Sequence, residues 1–312
     1  MQRRQYSMKL ITIFSVLCLL VLPNCTSDRS KQKQKGVDLE DFLSEDEIFD
    51  DIDKAKKIFY SLPSPLETAM LIKSAGAEYD EQLLNSIDNT RNYTSTKSLA
   101  LNLGIYTTDL SFASLFDQTQ TSIKYMEAAR TMAEGLDITD AIDDETIKRL
   151  NDNLNNRDVI MDIISETFLN SSSYLKENDR QGVATVVLIG GWIEGLYIAT
   201  QLVSDDKMQG NKLVDRIAEQ KLSFRIVQRM LADNVKDQTG GENKDIIELT
   251  AELEPLKAAF DKIKVETSEI KVEADETTKV ATLKSQTKIT ITPEVFKELR
   301  VTVGNLRTNF VQ

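Results

Sequence analysis

The chain has 312 residues, 50 acidic against 38 basic, for a formal charge of −12, and it contains no histidine. A surface this acidic repels phosphate backbones and no basic stripe offsets it, so nucleic acid is not expected as a partner. The missing histidine removes the commonest general base, the His-containing triads and every His-ligated zinc or iron site.

The only cysteines are Cys18 and Cys25, so the body of the chain has no disulfide framework and no thiol nucleophile. Catalysis would have to rest on carboxylates, Tyr, Ser or Lys, and no metal or cofactor is expected. Arg3, Arg4 and Lys9 precede an apolar run from Leu10 to Leu22, the layout of a secretory signal peptide over residues 1–24. That run is shorter than the ~20 residues of a membrane span. It ends Leu22-Pro23-Asn24-Cys25, which resembles the lipobox of bacterial lipoproteins, where a cysteine becomes the lipidated first residue. Such lipoproteins usually carry Gly, Ala or Ser where this chain has Asn24. The resemblance implies a membrane anchor of several acyl chains at Cys25, and Thr26 after it points to the outer membrane of a Gram-negative cell envelope. Residues 25–47 then read as a flexible polar tether, basic first and acidic beyond.

Residues 48–312 read as one α-helical domain. Ile48, Ile52, Ala55 and Phe59 give a modest amphipathic pattern, and Ser61-Leu-Pro63-Ser-Pro65 stops one element and starts the next. Leu66 to Ser74 is a short helix closed by Gly76. From Ser95, two apolar stripes (Leu99, Leu103, Tyr106, Leu110, Ala113 and Leu101, Ile105, Phe112, Phe116) predict a helix buried on two sides. Helices are expected over Gln120–Glu134, Asp137–Asn153 and Arg157–Lys176. The most apolar stretch of the body, Val183 to Val203, follows, with Glu194 near its middle.

That stretch has an echo. Gly190-x-Trp192 with Leu196, Ile198, Ala199 and Thr200 lies 86 residues after Gly104-x-Tyr106 with Leu110, Phe112, Ala113 and Ser114. Ala133-Glu134 to Ile138 finds a counterpart in Ala218-Glu219 to Phe224, with Asp137 and Ser223 read as caps of following helices. Asn156-Arg157-Asp158 recurs as Asn243-Lys244-Asp245. The expected architecture is all-α, two duplicated four-helix units at about 95–178 and 181–264 plus a C-terminal helix. Pro255 is expected to kink the last helix of the second unit. Between Val265 and Ile291, Ile270-Lys-Val272-Glu-Ala274 and Lys288-Ile289-Thr-Ile291 alternate like exposed strands. Phe260, Ile263, Thr267, Ile270 and Ala274 keep a helical spacing, so helix, hairpin and disorder all stay open. Thr292-Pro293-Glu294 starts the final helix, whose inward stripe is Val295, Leu299, Val303, Leu306 and Phe310.

Gly191-x-x-x-Gly195, with Gly190 beside it, gives the apolar helix a flat face. In lipid, Glu194 would cost roughly 2.5–3.5 kcal/mol, so a core helix crossed closely by the Leu103–Phe112 helix is the better reading. Asp137-x-x-Asp140-x-x-Asp143-Asp144-Glu145 lacks the ligand pattern of an EF-hand and reads as a charged helix N-terminus. Glu194 and Asp109 fall on buried faces in the two units. One reading is a ligand site formed by Tyr106, Asp109, Trp192, Glu194 and Tyr197. The more economical one is a buried carboxylate paired with Arg or Lys. The expected function is a non-enzymatic helical lipoprotein that binds or scaffolds an envelope protein or small molecule. It resembles all-α bacterial lipoproteins in signal and class, a resemblance that carries no functional residues. The alternative is a carboxylate-dependent hydrolase, glycosidase-like, using Glu194 and Asp109 at a defined separation.

Overall fold

Helix starts follow local capping chemistry. The computed structural model describes residues 62–138, 143–153, 156–267, 271–275, 280–284 and 287–312. The signal segment, Cys25, the tether, the pattern at Ile48–Phe59 and Asp140 lie outside the described residues. Helix α1 (Pro65–Ser74) opens with a reciprocal Ser64–Glu67 capping box and Pro65 in its first turn, and ends before Gly76 at φ 85°. Two 3₁₀ turns follow, Glu81–Leu83 and Ile87–Asn92. Ser95 and Ser98 then cap α2 (Thr96–Leu115), which leads to α3 (Thr119–Gly135). Next come α4 (Asp144–Asp152), α5 (Arg157–Glu177), α6 (Gln181–Gln201) and α7 (Lys212–Asp233). After α8 (Lys244–Glu252) and α9 (Glu254–Asp261) come four short strands and α10 (Pro293–Val311), capped by Thr292 as expected. The described residues are therefore predominantly helical.

Several boundaries differ from the sequence reading. Asp137 does not start a helix. It sits at φ 57° just past α3, and Ile138 N–H donates back to Ala133 O at 3.0 Å, so it closes α3, while the Asp143 side chain caps α4. Asp117 and Asp179 end α2 and α5 in the same left-handed conformation. Ser223 caps nothing. It lies inside α7, which runs unbroken because nothing between Lys212 and Asp233 is a helix breaker. Pro255 does not kink one helix: the chain divides at Leu253, and the proline occupies the first turn of α9. Between α9 and α10, β1 (Lys264–Thr267) pairs antiparallel with β4 (Thr287–Thr290) and β2 (Lys271–Asp275) with β3 (Val280–Lys284). Val265 stands opposite Ile289, and Ile289 packs on the core, so strand alternation prevails over the competing helical spacing.

The core is organised around α2 and α6. Every residue of α2 from Leu99 to Leu115 is buried, and most of α6 is too. Helix α6 is long and apolar enough to cross a membrane, but here it is packed among other helices. Helices α3 and α5 lie on α2, α7 and α10 lie on α6, and α1 touches both central helices. The crossing is a backbone contact. A Cβ built on Gly104 would overlap the carbonyl oxygen of Val187, and one on Gly190 would overlap the carbonyl of Leu101. Gly191 faces Gly104 O and the Thr108 hydroxyl, which donates to Gly191 O at 3.1 Å. Gly195 instead meets Thr68 of α1. The glycine face therefore serves two partners, α2 and α1, and not the Leu103–Phe112 helix alone.

Helix C-termini carry orphan carbonyls and a partial negative charge, and basic side chains from other helices serve four of these ends. Lys73 donates to Leu115 O, Arg180 to Leu136 O, Lys221 to Ile263 O, and Arg300 to both Thr200 O and Val203 O. Each such bond joins two elements while filling a backbone vacancy.

Gly104→Ala and Gly190→Ala should each destabilise the protein by about 1–3 kcal/mol despite alanine's better helix propensity, because the added methyl meets main chain that cannot turn aside. Gly191→Ala, whose nearest neighbours would stand at 3.2 Å, should cost less. Urea unfolding of the three variants checks the ranking.

Candidate functional site

About one turn beyond the glycine crossing, Asp109 of α2 and Glu194 of α6 meet with no exposure to solvent. A bare carboxylate in such a place is costly, and the structure offsets that cost with a cation from the last helix. Arg307 of α10 holds Glu194 bidentately, Nε to Oε2 at 3.0 Å and Nη2 to Oε1 at 2.9 Å. Its guanidinium lies 4.7 Å from the centre of the Tyr197 ring, adding a cation–π contact. Burial alone would lower the Arg307 pKa, but the charge and hydrogen bonds of Glu194 raise it above the ordinary value, so the guanidinium stays charged.

Asp109 has no such partner of its own. Its Oδ2 accepts from Asn85 N at 3.0 Å, while Oδ1 finds no donor. Burial pushes its pKa far above the ordinary carboxyl range, and the neighbouring Glu194 pushes it further, through charge and through a hydrogen bond between the two carboxyls. Both features have one explanation. Crowded against a second carboxyl and away from water, the Asp109 carboxyl favours its neutral form, while Arg307 supplies the cation that Glu194 needs.

Phenols and amides surround this pair. Tyr93, Tyr106 and Tyr125 form a ring-to-ring series with centroids 6.3 and 6.1 Å apart. Their hydroxyls donate to main-chain carbonyls of Val311, Ser86 and Asn85 respectively. Burial raises all three phenol pKa values, which keeps them hydrogen-bond donors. Asn102 donates to Phe310 O, so the last turn of α10 is held by Asn102 and Tyr93.

Four of the five predicted ligand residues, Tyr106, Asp109, Glu194 and Tyr197, thus come together. Trp192 does not join them. It stacks with Phe224 at 5.9 Å, lies near Phe260, and donates its indole N–H to Gln220 at 2.9 Å. There it borders a cavity of about 30 Å³, room for a single water. Two larger hollows, about 270 Å³ beside β4 and the start of α10 and about 200 Å³ at the start of α3, involve none of the five residues. Sequence reasoning missed Arg307, Asn85, Asn102, Tyr93 and Tyr125. The signal for Arg307 was present: it falls four residues after Val303 on the inward side of the final helix, beside Leu306. Among the described residues no cluster of Asp, Glu, His or Cys suits a metal ion.

The hydrolase reading needs two carboxyls open to one cleft. Both are fully enclosed and one is clamped by Arg307, so the geometry gives it no support. No protein-family model, no curated protein and no solved structure matches the chain.

Two outcomes follow from this arrangement. Arg307→Met leaves Glu194 buried without its cation and should cost about 3–5 kcal/mol, most of it recovered by adding Glu194→Leu. Denaturant unfolding of the single and double variants measures this. The Asp109 pKa is raised on folding from its ordinary 3.8, so the folded state holds a proton that the unfolded state releases above that value. Stability from this group is fully present below the unfolded pKa and is lost as pH rises towards the folded pKa. Unfolding between pH 5 and 7 should therefore show Asp109→Asn gaining on the unaltered protein by up to about 1.4 kcal/mol per pH unit.

Proposed function

We propose that this protein is a lipid-anchored cell-envelope protein, lipidated at Cys25, whose helical body is a non-enzymatic binding or scaffolding module. The observation that carries the anchor is Leu22-Pro23-Asn24-Cys25 closing a basic-then-apolar leader, with no cysteine afterwards. The polar stretch from Thr26 to Glu47 then serves as a spacer between the outer membrane and the folded part. Support for a binding role rather than a catalytic one comes from the missing histidine and from the enclosure of the two best-placed carboxyls. Its partner is an envelope protein or a small molecule, not nucleic acid.

The body further reads as a diverged internal duplication of about 95–178 and 181–264. Supporting it is the reciprocity of the central contact: Gly104 against Val187, and Gly190 against Leu101, are one contact viewed from either side of an 86-residue offset. Asn156 and Asn243 also cap α5 and α8 with the same bond, to the N–H three residues on. The unbroken α7 and the split between α8 and α9 mark where the halves have diverged.

In a Gram-negative host, Cys25→Ser should abolish incorporation of radiolabelled palmitate and release the protein from the membrane fraction. A mutant that still labels and still sediments with membranes would remove the anchor.

A further inference from the structure

The main chain at Leu83–Ser86 makes local turn bonds, from Leu83 and Leu84 N–H to Asp80 O and Glu81 O and from Asn89 N–H to Ser86 O, and is otherwise held by side chains of distant helices. Arg307 Nη2 donates to Leu83 O at 3.3 Å, and Asp109 Oδ2 accepts from Asn85 N at 3.0 Å. Tyr125 donates to Asn85 O at 2.9 Å and Tyr106 to Ser86 O at 2.8 Å. Leu84 (φ −74°, ψ 152°) and Ser86 (φ −58°, ψ 131°) are extended in the polyproline range. The Asn85 side chain is 1% exposed, and its amide nitrogen donates to Tyr93 Oη at 3.1 Å and to Asn102 Oδ1 at 3.2 Å. Leu84 beside it is buried in the core.

This is the hydrogen-bond logic of peptide recognition: an acceptor for the Asn85 N–H, donors for the carbonyls of Leu83, Asn85 and Ser86, and buried surroundings for the Leu84 and Asn85 side chains. The segment on both sides is built of 3₁₀ turns whose residues are mostly exposed, a type of element that opens at lower free energy than a helical core. Behind it stand the Asp109 carboxyl, the Arg307 guanidinium that also holds Glu194, and two phenols, all fixed on helices and already oriented.

We infer that Asp109, Arg307, Tyr106 and Tyr125 form a binding site for an extended peptide carrying an asparagine, occupied at rest by the chain's own Leu84-Asn85-Ser86. The cis segment is an autoinhibitory plug, and a partner protein presenting a similar extended segment would replace it. The inference rests on the binding-module reading and names the ligand class for it. It makes no use of the lipid anchor, so the palmitate experiment and the tests below can fail separately.

The first test is hydrogen exchange on the unaltered full chain, read by mass spectrometry. If the plug opens locally, amides around Asn85 should exchange at least about tenfold faster than those in the middle of α2. Exchange around Asn85 that is as slow as in α2 would mean the segment leaves only on global unfolding, and would overturn the proposal. The second test uses a fluorescein-labelled peptide of residues 82–89 and the variant Asn85→Gly, whose resident segment has lost its side-chain bonds. Saturable binding to the variant, at least about tenfold weaker binding to the unaltered chain, and loss of binding when the peptide carries alanine for Asn85 are expected, since the resident segment competes at high effective concentration. Absent binding to a variant with native circular dichroism, or equal binding of the alanine peptide, would overturn it. Should Asn85→Gly fail to fold, the exchange measurement on the unaltered protein still decides.

Discussion

The closest constraint in this protein is the approach of α2 and α6 to backbone contact at Gly104 and Gly190. Glycine inside a helix costs roughly 1 kcal/mol relative to alanine, and α6 carries three such residues within two turns. The loss is offset because two main chains can come together where side chains would hold them apart. Everything else at the centre follows from that distance. Asp109 and Glu194 are carried by it into a shared dry space, where two ionised carboxyls could not coexist. Glu194 is held there by a cation, so the position of α10, which supplies Arg307, is tied to a contact made by two other helices.

Polar groups in the interior do much of the joining. Lys97 of α2 reaches Glu252 at 2.8 Å and Glu248 at 3.3 Å, attaching the first central helix to α8. Lys73, Arg180, Lys221 and Arg300 each close a helix end that belongs to another element. Isolated surface ion pairs contribute little, but a cation donating to otherwise unsatisfied carbonyls also removes a buried vacancy. Helix ends carry four of these specific bonds, alongside those between helix faces such as Arg307 with Glu194 and Thr108 with Gly191 O. The same economy explains the segment at Leu83–Ser86, whose carbonyls and amide are served by side chains of α2, α3 and α10.

Local chemistry was legible wherever it was self-contained. Thr292 before Pro293 caps its helix as its spacing suggests, and Ser95 with Ser98, Asn156 and Asn243 use the same local bonds, which the sequence carried without being read as caps. Asp137 misled because aspartate serves two purposes with opposite meanings: it caps helix starts and it tolerates the left-handed turn that ends a helix. Only the 3.0 Å return bond from Ile138 to Ala133 distinguishes them. Ser223 misled because it was matched to Asp137 across the 86-residue offset, although the apolar spacing of Ile217, Ala218, Phe224, Val227 and Leu231 runs through it unbroken. At the candidate site, burial of Asp109 and Glu194 could be read from their apolar neighbours one turn away. Trp192 was grouped with them because it lies two residues from Glu194 in the chain. On a helix two residues are about 200° apart, so it faces the opposite side, towards Phe224 and Phe260.

By itself, the amino-acid sequence determined the helical class, the central apolar helix and its near-repeat in α2, most helix starts, and the absence of histidine chemistry. These depend on periodicity, on residues within four positions of each other, and on composition, all of which one strand of text contains. Tertiary structure alone decided which cation pairs with Glu194, whether residues 264–290 contain strands, and which helices share the glycine face. Arg307 lies 113 residues from Glu194, and Tyr125 lies 40 from Asn85. Such pairings are set by how close the backbones come and by what remains unsatisfied once water is gone, and neither quantity exists until the chain has packed.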